Sequence, residues 1–207
     1  EILIGLVGSE MCIRDRNWII NSTSADFERL VAVTDVAVKY NANIIALTMN
    51  SELGIPKESD GRLELAFEIN EKTQEKGIEN EKIFFDPLIL PVAVEQSQAV
   101  EALNTIRMLK ESFEPPVLTT IGHSNVSNGA PAHLRPLINR VFFVLAAGCG
   151  LDSAIVDSFD SELLRINGLL ENQTPQNAAD ELILSIYETM RDFGEIDDVA
   201  CDLSDRN

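Results

Sequence analysis

Short apolar runs ending in a polar residue punctuate the chain five times. They are WIIN at Trp18–Asn21, IIALTMN at Ile44–Asn50, IFFD at Ile83–Asp86, VLTTIGHSN at Val117–Asn125 and SAIVD at Ser153–Asp157. Each run is β-branched or aromatic and precedes a helical pattern, as expected of a buried parallel strand feeding a crossover helix. The polar ends lie 29 to 39 residues apart, room enough for a loop, a helix and the next strand. In parallel α/β folds the ligand sits at the carboxyl ends of the strands. Asn21, Asn50, Asp86, Asn125 and Asp157 are therefore expected on one rim.

The segments between the runs predict the helices. Thr23 and Asp26 have capping-box spacing before a helix from Asp26 to Tyr40. Ser59 is placed to cap a second, with Leu63, Ala66 and Phe67 on its apolar face and Gly77 as a left-handed stop. A third carries Ala99, Ala102, Leu103, Ile106 and Leu109 on one stripe. The fourth, Leu137 to Ala147, is apolar nearly all round and so is expected to be well buried. Glu162 to Leu170 follows the last strand, and Ala179, Leu182, Ile183, Ile186, Tyr187 and Met190 outline a closing amphipathic helix.

This alternation predicts an α/β protein, either a (β/α)8 barrel or a doubly wound sheet. No GxGxxG turn follows any strand, which weighs against the dinucleotide-binding version. Five units are visible where a barrel has eight, and the remainder is expected before Asn17. Within residues 1–16, the stretch LVGSEMCIRDR resembles spurious translated sequence at the ends of gene fragments. The alternative is a short strand from Ile2 to Val7, and neither reading places function there. The domain proper is expected over residues 17–194, followed by an acidic tail at 195–207.

At 207 residues and 45% hydrophobic content the chain buries one core. A formal net charge of −18 repels nucleic acid and anionic membrane surfaces. Without a long apolar run or a signal peptide, the expected location is cytoplasmic. Cys12, Cys149 and Cys201 are too widely spaced for a disulfide framework or a metal-ligand pair, and His123 and His133 stand outside any HxH or HExxH pattern. No bound metal is expected.

Six blocks carry a family resemblance: INST (Ile20–Thr23), LTMNSELGIPKESDGR (Leu47–Arg62), DPLILP (Asp86–Pro91), GHSNVSNG (Gly122–Gly129), RPLINR (Arg135–Arg140) and GLDSAIVD (Gly150–Asp157). In these, from Asn17 to about Asn172, the chain resembles the methyltetrahydrofolate:corrinoid methyltransferases, in particular those acting on the corrinoid/iron–sulfur protein. The resemblance implies a partial (β/α)8 TIM barrel of the pterin-binding, dihydropteroate synthase-like type, with strands four to eight present. It also implies 5-methyltetrahydrofolate as methyl donor, a corrinoid (cobalamin) carried by a partner protein as acceptor, and a homodimer at full length.

The chemistry suits the matched residues. A pterin's amino-pyrimidine edge presents donors that a carboxylate accepts in two prongs. Asp86 matches the family's pterin-binding aspartate, although alone the Asp86–Pro87 step reads equally as a turn. Asn21 would bond another ring edge. Methyl transfer from N5 requires a hydrogen bond that strengthens as N5 gains positive character. Asn125 matches the asparagine given that role, with Gly122 and Ser124 lining the same wall and Gly122 letting the ring approach the backbone. Arg135 would join the polar network near the pterin or, in the alternative, bond the preceding loop as a helix-start arginine. His123 is read as a packed strand-end histidine, Asn50 and Asp157 as supporting residues, and Met49 and Cys149 as core. A DST-like block with a further pterin-contacting aspartate has no counterpart here. Two rivals remain open: a dihydropteroate synthase-like enzyme, whose lysine and SxR-type motif are missing beside Asp157, and a non-catalytic pterin-binding remnant.

Overall fold

The computed structural model describes residues 18–194. The expectations for residues 1–16 and for the acidic tail lie outside the described residues. Five strands alternate with helices: β1 (Ile19–Thr23), α1 (Phe27–Tyr40), β2 (Asn43–Leu47), α2 (Ser59–Glu75), β3 (Ile83–Asp86), α3 (Ser97–Ser112), β4 (Leu118–Gly122), α4 (Arg135–Gly148), β5 (Ser153–Ile155) and α5 (Ser161–Asn172), closed by α6 (Ala178–Arg191). The strands pair in parallel in the order of the chain, β1-β2-β3-β4-β5. Sequential order without reversal is the progression of a barrel wall, whereas a doubly wound sheet reverses at a switch point. The fold is thus α/β, a partial barrel with five of the eight strands.

Burial follows position in the sheet. Ile44, Ile45 and Ala46 of β2, Ile83 and Phe85 of β3 and Ile121 of β4 are all buried. Among the described residues β1 and β5 are the sheet edges, and Ile19 of β1 and Ile155 of β5 are 49% and 44% exposed. One core cluster packs Ile44, Ile69, Ile83, Phe85, Leu109 and Val117 between sheet and helices. A second, which includes Ile89, Ile106, Ile121, Val126 and Phe142, lies beneath the carboxyl ends of β3 and β4.

Several local expectations give way to tertiary partners. The Thr23–Asp26 capping box does not form. The Asp26 carboxylate instead accepts from the Ser51 backbone N–H at 2.8 Å, the Ser51 hydroxyl at 2.5 Å and the Ser24 hydroxyl at 2.7 Å. In α2 the buried stripe is Arg62, Leu65, Ala66, Ile69, Asn70 and Thr73. Leu63 is only partly buried, and Phe67 reaches outward to lie 4.8 Å from the Phe113 ring. Helix α4 is less enclosed than its composition predicts, since Leu137 and Val141 are 60% and 43% exposed. Only one side of it meets the sheet, and its outer side forms an open groove with Ile166, Ile183 and Ile186. In α6 the buried positions are Asp180, Leu184 and Met190. Asp180 turns inward because Arg165 of α5 donates to it at 2.8 Å. Where α6 crosses α4, a Cβ on Gly148 would stand 2.6 Å from Met190 Cβ, so that crossing needs glycine.

A buried amide knot fastens the amino ends of the strands. Asn80 is 3% exposed, accepts from Asn70 Nδ2 and Gln74 Nε2 at 2.8 Å each, and donates to the Pro115 carbonyl at 2.6 Å. Asn80→Ala would strand the buried Asn70 amide, while the exposed Gln74 and Pro115 can turn to water, so denaturant melts should show a loss of roughly 1–2 kcal/mol. A loss within error would mean that water replaces the knot.

Candidate functional site

β3 delivers its last residue to the rim by simple alternation. Ile83 and Phe85 enter the core, with Phe85 stacked 5.9 Å from Phe113, and Asp86 is left partly buried at the strand end. Its backbone carbonyl is pinned by Thr48, whose N–H and hydroxyl donate to it at 3.1 Å and 3.2 Å. Its carboxylate accepts from the Leu88 N–H at 2.8 Å, and the Gly122 backbone lies near enough to favour the charged form. Burial outweighs both and pushes the Asp86 carboxyl up to about 6.

β4 stops at Gly122, short of the Asn125 end expected from the apolar run, because residues His123–Ser127 wind into a 3-10 turn. The turn brings Asn125 back over the strand. A Cβ on Gly122 would lie 3.6 Å from Asn125 Nδ2, so the amide stands directly over the Gly122 backbone. Asp86, Gly122 and Asn125 are therefore contiguous, and the carboxylate and the amide of Asn125 flank one glycine. The turn is also tied to the loop after β3, since Val92 N–H donates to the Val126 carbonyl at 3.0 Å.

His123 points away from this cluster. It is 1% exposed, lies 5.9 Å from the Phe143 ring and 6.4 Å from that of Phe142, and neither ring nitrogen forms a well-aligned hydrogen bond. The Asn139 backbone and Asp160 act on it only weakly. Burial holds its imidazole below the ordinary histidine range, hence neutral. The sequence predicts a packed and hydrogen-bonded histidine; this one is packed, but neither ring nitrogen has a hydrogen-bond partner among the described residues.

Ser124 and Asn125 are exposed on the rim. Arg135 opens α4, is also exposed, and sets Nε 3.5 Å from Ser127 Oγ. Ser127 Oγ in turn donates to the Ser124 carbonyl at 3.3 Å. Arg135 thus contacts the preceding loop, the helix-start alternative, while that loop connects it to Ser124. Asn21 lies on β1 opposite Ile45, two strands from Asp86, or about 10 Å across the sheet. It is exposed because β1 is an edge. Asn50 and Asp157 close their own turns, accepting from Leu53 N–H at 2.7 Å and Phe159 N–H at 2.9 Å.

The rim contains features that the sequence reading did not pick out. Arg62 is fully buried, donating from Nε to the Pro56 carbonyl at 2.9 Å and from Nη2 to Gln98 Oε1 at 2.7 Å. Gln98 holds the Lys57 carbonyl at 3.0 Å. With Ser51 bound to Asp26, the loop from β2 to α2 is clamped at both ends. Leu88 adopts a left-handed φ of 62°. No sequence period signals a buried arginine or a left-handed leucine; their positions inside the LTMNSELGIPKESDGR and DPLILP blocks were the only pointers. Among the described residues, no group of three His, Cys, Asp or Glu side chains is placed to hold a metal ion, and no helix is long and apolar enough to cross a membrane.

Comparison with known proteins bears on this rim. The chain is 33% identical over 150 residues to a methionine synthase of Mycobacterium leprae, covering 70% of this chain and 12% of that protein. It is 32% identical over 160 residues to a methionine synthase of Mycobacterium tuberculosis, covering 75% and 13%. With a methylcorrinoid:tetrahydrofolate methyltransferase of Eubacterium limosum it shares 27% identity over 121 residues, covering 58% and 43%. The match therefore spans less than half of each of these relatives' length. The family model for pterin binding enzymes matches residues 9–157, a stretch running from ahead of β1 to the rim residue after β5. With its parallel barrel wall and its carboxylate and amide at the strand ends, this chain belongs to the pterin-binding enzyme family.

Proposed function

We propose that the rim binds the pterin of 5-methyltetrahydrofolate and serves its methyl transfer to the cobalt of a corrinoid carried by a partner protein. The observation that carries the reading is the placement of Asp86 and Asn125 on either side of Gly122. The carboxylate accepts from the ring N–H and 2-amino group, Asn21 bonds a further edge across the sheet, and Gly122 gives the ring access to the backbone. The Asn125 amide lies against N5. As Co(I) attacks the methyl carbon, the N5–methyl bond breaks and its electron pair returns to nitrogen. The Asn125 side-chain oxygen, accepting from the N–H of N5 protonated from solvent, then favours departure more than ground-state binding. The amide is too weak an acid to supply that proton itself. Ser124 and Arg135 continue the wall beyond Asn125.

The relatives named for methylcorrinoid and methionine chemistry support this reading over the dihydropteroate synthase-like one. The corrinoid/iron–sulfur protein is the partner proposed from the sequence blocks. The deciding assay mixes the protein, in a completed eight-stranded barrel, with methyltetrahydrofolate and cob(I)alamin and follows the cobalt spectrum. Methylcobalamin formation supports the proposal, and folate binding without transfer would assign a pterin-binding role alone.

The Asp86 carboxyl gives the site a pH signature. Two-pronged acceptance needs the carboxylate, so methyltetrahydrofolate affinity should fall as pH drops through about 6 and level off above it. Stability runs the other way. A carboxyl whose folded value is raised from 3.8 favours the fold most when protonated, and that contribution is lost as pH rises through about 6. Asp86→Asn should therefore melt higher than the parent above that range and equally below about pH 4, near the unfolded value. A melting curve lowered by the substitution at neutral pH would show the carboxylate to be structural.

A further inference from the structure

We propose that Leu88 is a positioning residue: its left-handed backbone lets its N–H stay on the Asp86 carboxylate while the following loop bends toward the turn that bears Asn125. The inference rests on the reading of Asp86 and Asn125 as pterin-binding groups, and deepens it.

Four non-glycine residues among those described have positive φ: Asn41, Leu88, Gln173 and Phe193. Asn41 and Gln173 are the C-caps of α1 and α5, and Phe193 follows the end of α6. A left-handed residue is the ordinary way to end a helix. Leu88 alone stands at no helix end, and as a leucine it has none of the local hydrogen bonding that makes the region tolerable to asparagine. Such a conformation persists only where the surroundings hold it in place, and it is concentrated at binding sites.

The surroundings of Leu88 act on both site residues. Its N–H lies 2.8 Å from Asp86 Oδ1. The carboxylate is thus held by the loop that follows its own strand, and its orientation toward a ligand is set before the ligand arrives. Pro87 precedes the bend, and Ile89, buried at 4%, anchors the chain after it in the core beneath the rim. Four residues beyond Leu88, Val92 N–H meets the Val126 carbonyl in the turn His123–Ser127. A right-handed or extended Leu88 could not keep its N–H on Asp86 and the following loop on the Asn125 turn together, which would uncouple the carboxylate from the amide.

The test needs no ligand. In the 207-residue chain, the Asp86 carboxyl carbon and the Leu88 amide are followed by NMR from about pH 4 to about pH 8. The Leu88 N–H should titrate with the Asp86 midpoint and cease to titrate in Asp86→Asn. Leu88→Asn and Leu88→Gly, which accept positive φ, should keep the parent Asp86 midpoint. Leu88→Val, which resists it, should move that midpoint up by roughly half a unit or more, because a bond that favours the carboxylate is lost. A Leu88 amide with no pH response, or a folded Leu88→Val with the parent midpoint, overturns the proposal. If Leu88→Val does not fold, the amide titration of the unaltered chain decides. In a completed barrel, Leu88→Val should also weaken methyltetrahydrofolate binding roughly tenfold, the worth of one bond to a charged group. Failure of the parent to bind folate would reject the pterin reading while leaving the titration result standing.

Discussion

Asn125→Ala, in a completed barrel, is expected to slow methyl transfer from methyltetrahydrofolate to cob(I)alamin by roughly 10²–10³, the scale for deleting one preorganised hydrogen-bonding group. The expectation follows from how the amide is held. The 3-10 turn His123–Ser127 fixes its backbone, Val92 braces that turn, and buried Val126 and His123 root it in the core. Little reorganisation is then needed when N5 gains charge. Because the bond matters most at the transition state, the dissociation constant should change less than the rate. Single-turnover kinetics at saturating folate separate the two. Transfer at the parent rate would give the N5 role to another residue or to an ordered water.

Asp86→Ala should weaken methyltetrahydrofolate binding by roughly 2–4 kcal/mol, since the pterin edge loses a two-pronged acceptor in a partly desolvated site. The same substitution abolishes the pH dependence near 6 that the carboxyl confers. Calorimetry at two pH values measures both effects. Unchanged affinity would remove Asp86 from the site; lowered affinity with the pH dependence intact would mean that another group titrates there.

The strands were legible in the sequence because a buried parallel strand has little freedom. IFFD became β3 over the same four residues, and IIAL lies within β2. Where the chain turns tightly, the apolar pattern misled: VLTTIGHSN continues as an apolar run, yet the strand ends at Gly122. Helix faces were read less well. The stripe through Leu63 and Phe67 is rotated in α2 toward Arg62 and Leu65, since Arg62 is drawn inward by the Pro56 carbonyl and Gln98. Residue pairs far apart in the chain were invisible, as with Asp26 and Ser51, where a tertiary donor displaced the capping box.

Sequence by itself determined the alternation of strands and helices and the family, because these rest on local periodicity and on blocks within single loops. Only the tertiary structure decided that Asp86 and Asn125 meet across Gly122, that Arg135 leans on the loop through Ser127, and that Leu88 is held left-handed. The physical reason is that each of those facts depends on hydrogen bonds and packing between elements. Such contacts arise only when the strands lie side by side, and the period of no single segment encodes them.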